Sequence, residues 1–385
     1  MPWHVITPEY PPAFGGVSDY TYLLAQALAA SGDEVHLWCP DLPGSPPSLP
    51  GTQVHEVFGR FSPARLWRAG RELDSAGPVR RLLVQWVPHG FGCRSLNVPF
   101  CLWLYCRTRL RGDRVELMVH EPFLPFRRSR WRQNAAAAVH RLMTIILLRA
   151  AGAVWVSTPV WEQKLRPYAL GRPISFGWLP VPSNIPVVED PAGIRAIRAR
   201  YAPATTLIGH FGTFGPLITP MLESILPSLA RKVPGAALLL LGAGSEGFRA
   251  RLLRDFSGLD THVYALGNLD PAALSLHLSA CDIMVQPYPD GVTSRRGSMM
   301  AALSHGRAIV TTEGELTEPV WRNSRAAILV PPKDAEAFVD SVLALAQNAE
   351  HRERIGAAAH DLYMTQFDIH RTASALRRSS QAPLR

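Results

Sequence analysis

The chain has 385 residues, 47% hydrophobic and 18% charged, with a formal net charge of +9. A single core stops growing near roughly 250–300 residues, so two domains are expected, and the composition is that of a soluble globular protein with no low-complexity tract. Lysine occurs only at 164, 232 and 333, and residues 60–149 hold 17 arginines against five acids, a local balance of +12 that leaves −3 for the rest.

Charge confined to one segment points to an anionic partner there: a membrane surface, a phosphorylated substrate or nucleic acid. The five cysteines (39, 93, 101, 106 and 281) are odd in number and form no C-x-x-C pair. That pattern fits a reducing compartment better than a disulfide framework or a zinc site. The opening MPWHVITPEY lacks a basic stretch followed by an apolar one, so no signal peptide is expected. The apolar runs 98–106 and 142–157 fall short of the roughly 20 residues a membrane helix needs. The expected location is therefore the cytoplasm, at the inner face of the membrane if the basic segment docks there.

WHVIT (3–7) reads as a buried strand, followed by the loop PEYPPAFGGV, a helix capped by Ser18, and a second strand at 34–40. Strands over 82–87, 115–120 and 153–158 continue this parallel-sheet pattern. Prolines at 180, 182, 186 and 191 mark the link between domains. A second alternation follows, with strands at 206–213, 237–242, 261–267, 282–288, 307–312 and 326–332 and helices between and after them. The expected division is 1–180, 181–366 and a helix or tail over 367–385 that crosses back to the first domain. The fold class is α/β, with two doubly wound Rossmann-like domains facing across a cleft.

Ligands of open α/β sheets bind at the carboxyl ends of the strands. Three places there carry chemistry in the sequence. Gly15 and Gly16 precede a helix, whose free amides attract anions. His120 and Glu121 end a strand. The stretch DGVTSRRGSMM (290–300) follows another strand and sets Arg295 and Arg296 before a helix that begins near Met299 and is capped by Ser298 or Gly297. Forked guanidinium donors and a helix N-terminus at one loop suit a phosphate. FLPFRRSRWRQ (123–133) mixes Arg127 and Arg128 with Phe123, Phe126 and Trp131, which suits an anionic membrane interface or an acceptor phosphate. No nucleic-acid motif is present. Gly242, Gly244 and Gly247 fit G-x-G-x-x-G, yet they follow the domain's second strand and no acidic residue ends the next one. They read as a turn in a nucleotide cleft, not as a dinucleotide site.

Taken together, TPEYPPAFGGVSDYTYLLAQALAASGDEVHLW, LLLLGAGSE, LGNLDPAALSLHLSACDIMVQPYPDG, LSHGRAIVTT and ILVPPKDAEAFVDSV resemble, in that order, the GT-B glycosyltransferases of the family 4-like group. The resemblance covers about residues 3–365. It implies a nucleotide-sugar donor held mainly by the C-terminal domain, an acceptor held mainly by the N-terminal one, retention of anomeric configuration, and no metal or other cofactor. The family's Glu-x7-Glu motif is degenerate here. An ungapped alignment puts Thr293 and Ala301 at the two glutamates. A slightly longer loop brings Asp290 and Gly291 onto the first, and this is preferred because it keeps a carboxylate at the strand mouth. Ser298 is then the polar substitute near the second. The Arg and Lys that relatives carry after the first donor-domain strand are missing from GHFGTFGPLITP, where Thr213 is the polar residue.

The expected reaction is transfer of a sugar, of the hexosyl kind, from a nucleotide diphosphate sugar to a hydroxyl acceptor. His120 and Asp290 are assigned to the sugar and acceptor hydroxyls. Gly15, Gly16, Thr213, Ser294, Arg295, Arg296, Gly297 and Ser298 are assigned to the donor. Glu121, Arg127, Arg128 and Trp131 are assigned to the acceptor or membrane side. The alternatives are a nucleotide-sugar epimerase on the same fold and a non-catalytic sugar-nucleotide-binding protein.

Overall fold

The computed structural model describes residues 2–77, 80–201, 206–233 and 235–381, with the side chains of 380 and 381 outside that description. The chain forms two compact units, one of Met1–Val181 with Ile369–Arg385 and one of Pro182–Asp368.

The first unit runs β1 (Trp3–Ile6), α1 (Gly16–Ala30), β2 (Val35–Cys39), β3 (Thr52–Glu56), α2 (Pro63–Ser75), β4 (Arg81–Trp86), α3 (Val98–Arg111), β5 (Arg114–Val119), α4 (Trp131–Ala150), β6 (Ala151–Val156), α5 (Pro159–Leu165) and β7 (Ser175–Trp178). Its seven strands are all parallel, in the order β3-β2-β1-β4-β5-β6-β7. Central strands of such a sheet are covered on both faces and need apolar side chains on both. Accordingly, Leu82 and Val84 of β4 join one core layer with Ile6, Leu117 and Phe100, while Leu83 joins the other with Val5, Leu24 and Leu37.

The second unit runs α6 (Pro191–Tyr201), β8 (Leu207–Phe211), α7 (Thr219–Lys232), β9 (Ala237–Leu241), α8 (Ser245–Asp255), β10 (Val263–Ala265), α9 (Pro271–Ala280), β11 (Ile283–Gln286), α10 (Gly297–Ser304), β12 (Ala308–Thr312), α11 (Pro319–Ser324), β13 (Ile328–Val330), α12 (Ala335–Gln347) and α13 (Ala349–Leu362). Its strand order is β10-β9-β8-β11-β12-β13, again all parallel. The last helix, α14 (Ile369–Gln381), belongs to the first unit. There Ala373 and Leu376 enter the same core layer as Leu24 and Leu28 of α1. Arg81 holds this helix: it is paired with Glu116 at 2.6 Å, donates to Leu376 O and Ser379 Oγ at 2.9 and 2.8 Å, and lies 3.7 Å over the Trp3 ring.

Two strands lie outside the sequence expectation. β3 (TQVHE) is an edge strand with no buried residue, so its apolar content is too low to mark it. β7 (SFGW) sits inside the proline-rich stretch read as a link. It pairs with β6, and Gly177 is required there because a Cβ would overlap the Trp155 ring. The apolar run 142–157 is the end of α4 running into β6. Among the described residues no helix is long and apolar enough to cross a membrane, and all five cysteines are free thiols.

Candidate active site

In each sheet the strand order reverses at one point, between β1 and β4 in the first unit and between β8 and β11 in the second. The loops leaving such a switch point form the ligand crevice of an open parallel sheet.

In the first unit the loop after β1 carries Glu9 and the glycine pair. Glu9 Oε1 accepts from the amides of Val17 and Ser18 at 3.0 and 3.1 Å, so a carboxylate of the chain itself occupies the first turn of α1. Gly15 is extended, and a Cβ on it would overlap that carboxylate; Gly16 faces open space. The two glycines therefore differ: Gly15 makes room for Glu9, which fills the anion position at the start of α1, and a side chain at Gly16 would meet open space. Sequence reasoning did not single out Glu9. Its signal was an acid in a proline-flanked loop seven residues before a helix.

His120 follows β5 and is buried. Its Nε2 donates to Gln85 Oε1 at 2.8 Å, Tyr20 meets its ring edge-on at 4.7 Å, and its carbonyl accepts from Trp161 Nε1 and Ser157 Oγ. Burial lowers the imidazole pKa to about 3, which keeps the ring neutral at physiological pH. With Nε2 carrying the proton, Nδ1 is the acceptor nitrogen. Glu121 is exposed beside His89 at 3.8 Å.

The basic segment between β5 and α4 is a shaped hook. Asn134 closes it, accepting from Arg127 N at 2.8 Å and donating to Arg127 O at 2.9 Å. Arg141 stacks on Phe123 and Phe126 at 4.4 and 3.8 Å and donates to Leu124 O. Arg127, Arg128, Phe126 (55% exposed) and Trp131 (74%) face outward.

In the second unit Thr213, in the loop after β8, is exposed. The G-x-G-x-x-G stretch behaves as a turn. Gly242 lies at φ 112°, where a Cβ would overlap Gly212 O, Gly244 starts α8, and Gly247 is an ordinary helical residue facing open space.

The loop after β11 brings Asp290, Ser294, Arg295, Arg296, Gly297 and Ser298 together at the switch point. Asp290 Oδ2 accepts from Arg295 Nη2 at 3.3 Å and Asp290 Oδ1 from Arg296 Nη2. All three side chains are about three-quarters buried. Arg296 lies 4.7 Å over the Tyr288 ring, whose hydroxyl pairs with Ser298 Oγ at 2.9 Å. Ser294 donates from its amide (3.1 Å) and its hydroxyl (2.6 Å) to the buried Glu318, which also accepts from Trp321 Nε1 at 2.6 Å. Glu318 went unremarked in the sequence. The glutamate–proline step at the start of α11 was its only mark.

The turn thus braced delivers Arg296 to the N-cap of α10, and its side chain makes no capping hydrogen bond to the first-turn amides. Two guanidinium groups and a helix start share this turn, an arrangement matched to a phosphate-bearing ligand. Among the described residues no three His, Cys, Asp or Glu side chains gather as a metal site.

The family described as Glycosyl transferases group 1 matches residues 207–348, and Glycosyltransferase Family 4 matches residues 14–174. The chain is 25% identical over 358 residues to the phosphatidyl-myo-inositol mannosyltransferase of Mycobacterium leprae, covering 89% of this chain and 87% of that one. It is 22% identical to the protein of the same name from Mycolicibacterium smegmatis, covering 90% and 85%. Among solved structures, sucrose-phosphate synthase from Thermosynechococcus elongatus superposes with TM-score 0.72 at 17% identity over 98% of each chain. Anabaena HepE in complex with UDP superposes with TM-score 0.70 at 14% identity over 98% and 99%.

Proposed function

The chain belongs to the group 1, family 4-like glycosyltransferases with the GT-B fold, and on that premise we propose that it transfers a hexose from a nucleotide diphosphate sugar to a hydroxyl acceptor with retention of configuration. The observation that carries this reading is the placement of Arg295 and Arg296 at the start of α10, at the second unit's switch point. As the bond from the anomeric carbon to the diphosphate oxygen breaks, negative charge grows on the leaving group. Fixed donors aimed at that charge supply the largest catalytic contribution in such a reaction. The acceptor oxygen bonds to the anomeric carbon, and its proton leaves with the departing phosphate oxygen. Ser294 and Glu318 hold the loop in shape, and Ser298 and Thr213 line the donor side. His120, neutral and fixed by Gln85, offers Nδ1 to a hydroxyl of the sugar or the acceptor.

The mycobacterial relatives are named for a phosphatidyl-myo-inositol, and the outward-facing hook with Arg127, Arg128 and Trp131 suits an anionic bilayer. A lipid-linked acceptor met at the cytoplasmic face of a membrane therefore belongs to the proposal. No metal or other cofactor enters it.

The test is an Arg295→Ala/Arg296→Ala double variant, screened by thermal shift against UDP-, GDP-, ADP- and dTDP-sugars and by transfer. Loss of donor stabilisation together with loss of transfer is expected. Wild-type donor affinity in that variant would remove the arginine pair from the site.

A further inference from the structure

Asp290 engages both arginines that the proposed donor site relies on, so a diphosphate and the Asp290 carboxylate compete for the same guanidinium donors. We propose that Asp290 is an internal counter-ion which the donor's diphosphate displaces, and that the freed carboxylate then accepts a hydroxyl of the donor sugar. This rests on the reading of the site above.

The two sides of the ion pair differ in freedom. The backbone at Asp290 is pinned: its carbonyl accepts from Leu316 N at 3.0 Å, and Gly291 packs so close to Gly314 and Thr317 that no Cβ fits. The anchor of the carboxylate therefore stays with the β11 loop. The arginines reach it through their long side chains alone, from the turn before α10. The pairing also leaves Arg296 Nε buried with no acceptor among the described residues. A diphosphate, with more oxygens spread over a longer group, can meet guanidinium donors that one carboxylate leaves unmet. Among the described residues the Asp290 carboxylate pairs with the two guanidiniums and lies near Tyr288, over whose ring Arg296 stacks. Apart from Asp290 itself, no acid pairs with Arg296 among the described residues, so its displacement leaves the guanidinium free for phosphate.

The exchange has a price in affinity. A fixed negative charge within a few ångströms of a phosphate at a partly exposed site weakens binding by about tenfold. Removing it should tighten binding of the nucleoside diphosphate alone. It should also remove the extra affinity that the sugar contributes, because the freed carboxylate is gone.

The experiment measures Kd for UDP, GDP, ADP and dTDP, and for the corresponding nucleotide sugars, in wild type, Asp290→Asn, Asp290→Ala and Asp290→Glu. Far-UV circular dichroism and melting curves check that each variant folds. The expected result is about tenfold tighter nucleoside diphosphate binding in Asp290→Asn and Asp290→Ala, near-wild-type binding in Asp290→Glu, and a smaller gain on adding the sugar in the first two. Unchanged or weaker diphosphate binding in both neutral variants would overturn the exchange, since Asp290 would then only position the arginines. A sugar gain equal to wild type would overturn the hydroxyl role. The Arg295→Ala/Arg296→Ala variant separates the two levels. If it still binds nucleoside diphosphate, the site itself is misplaced. If it loses binding while Asp290→Asn fails to tighten, only the exchange is wrong.

Discussion

Gly15→Ala is the substitution whose effect the geometry defines most sharply. The backbone at Gly15 is extended, φ 168°, so alanine adopts it without strain. The added Cβ instead overlaps the Glu9 carboxylate and drives it off the amides of Val17 and Ser18, which it holds at 3.0 and 3.1 Å. Two charge-assisted hydrogen bonds and a favourable contact with the start of α1 are lost. Each such bond is worth about 1.5–3 kcal/mol when its partners are left unsatisfied. Water reaches this partly exposed turn and replaces much of that, so a net cost of about 1–2 kcal/mol is expected. For a unit of roughly 200 residues this lowers Tm by about 2–8 °C. Glu9→Ala removes the same interaction and should cost a similar amount. The double variant should cost little more than either alone, because the second change finds nothing left to break. Melting curves of the two single variants and the double variant form the assay. Additive losses, or a Gly15→Ala protein as stable as wild type, would refute the link between the glycine and Glu9. Gly16→Ala, with open space at its Cβ, should leave Tm near wild type.

Further outcomes follow from other parts of the fold. Arg81→Met should cost about 3–5 kcal/mol, because Glu116 is left buried without its cation, and limited proteolysis should then cut within α14, which Arg81 ties down at Leu376 and Ser379. His120 and His4 are both held neutral by burial with pKa lowered to about 3. Each therefore contributes stability that is fully present above the unfolded value near 6.5 and is lost as pH falls from there towards 3, at up to about 1.4 kcal/mol per group per pH unit. Melting curves between pH 7 and 5 should show a shallower loss in His120→Gln than in wild type. In transfer assays His120→Ala should lower turnover, while the wild-type rate should show no titration from this ring between pH 5 and 8. Arg127→Glu/Arg128→Glu/Trp131→Ala should abolish cosedimentation with vesicles containing an anionic lipid and leave Tm within about 1 °C, since these side chains face solvent. Unchanged cosedimentation would exclude the hook as the membrane contact.

The α/β class was legible because central parallel strands are apolar on both faces. WHVIT, LLVQWV and ALLLLG can hardly be anything else, and their alternation with amphipathic helices leaves few topologies. The family signature was legible for a related reason: it is an order of loops at strand ends, and order survives in a sequence. The edge strands of the first sheet were not. β3 and β7 have no buried residue, and their partners rather than their composition make them strands.

At the candidate site the sequence by itself placed an arginine pair at the mouth of a strand and the start of a helix, because strand, loop and helix are local patterns. Only the tertiary structure decided what those groups touch. Glu318 reaches 24 residues back to fix Ser294, and Arg81 crosses 295 residues to hold Leu376. Even the short spans, Glu9 to the start of α1 and Asp290 to Arg295 and Arg296, depend on loop paths that spacing does not specify. Backbone periodicity is written in every few residues of a chain. The pairing of one carboxylate with one donor is set by where the whole fold brings their backbones, and that is visible only once the chain has closed.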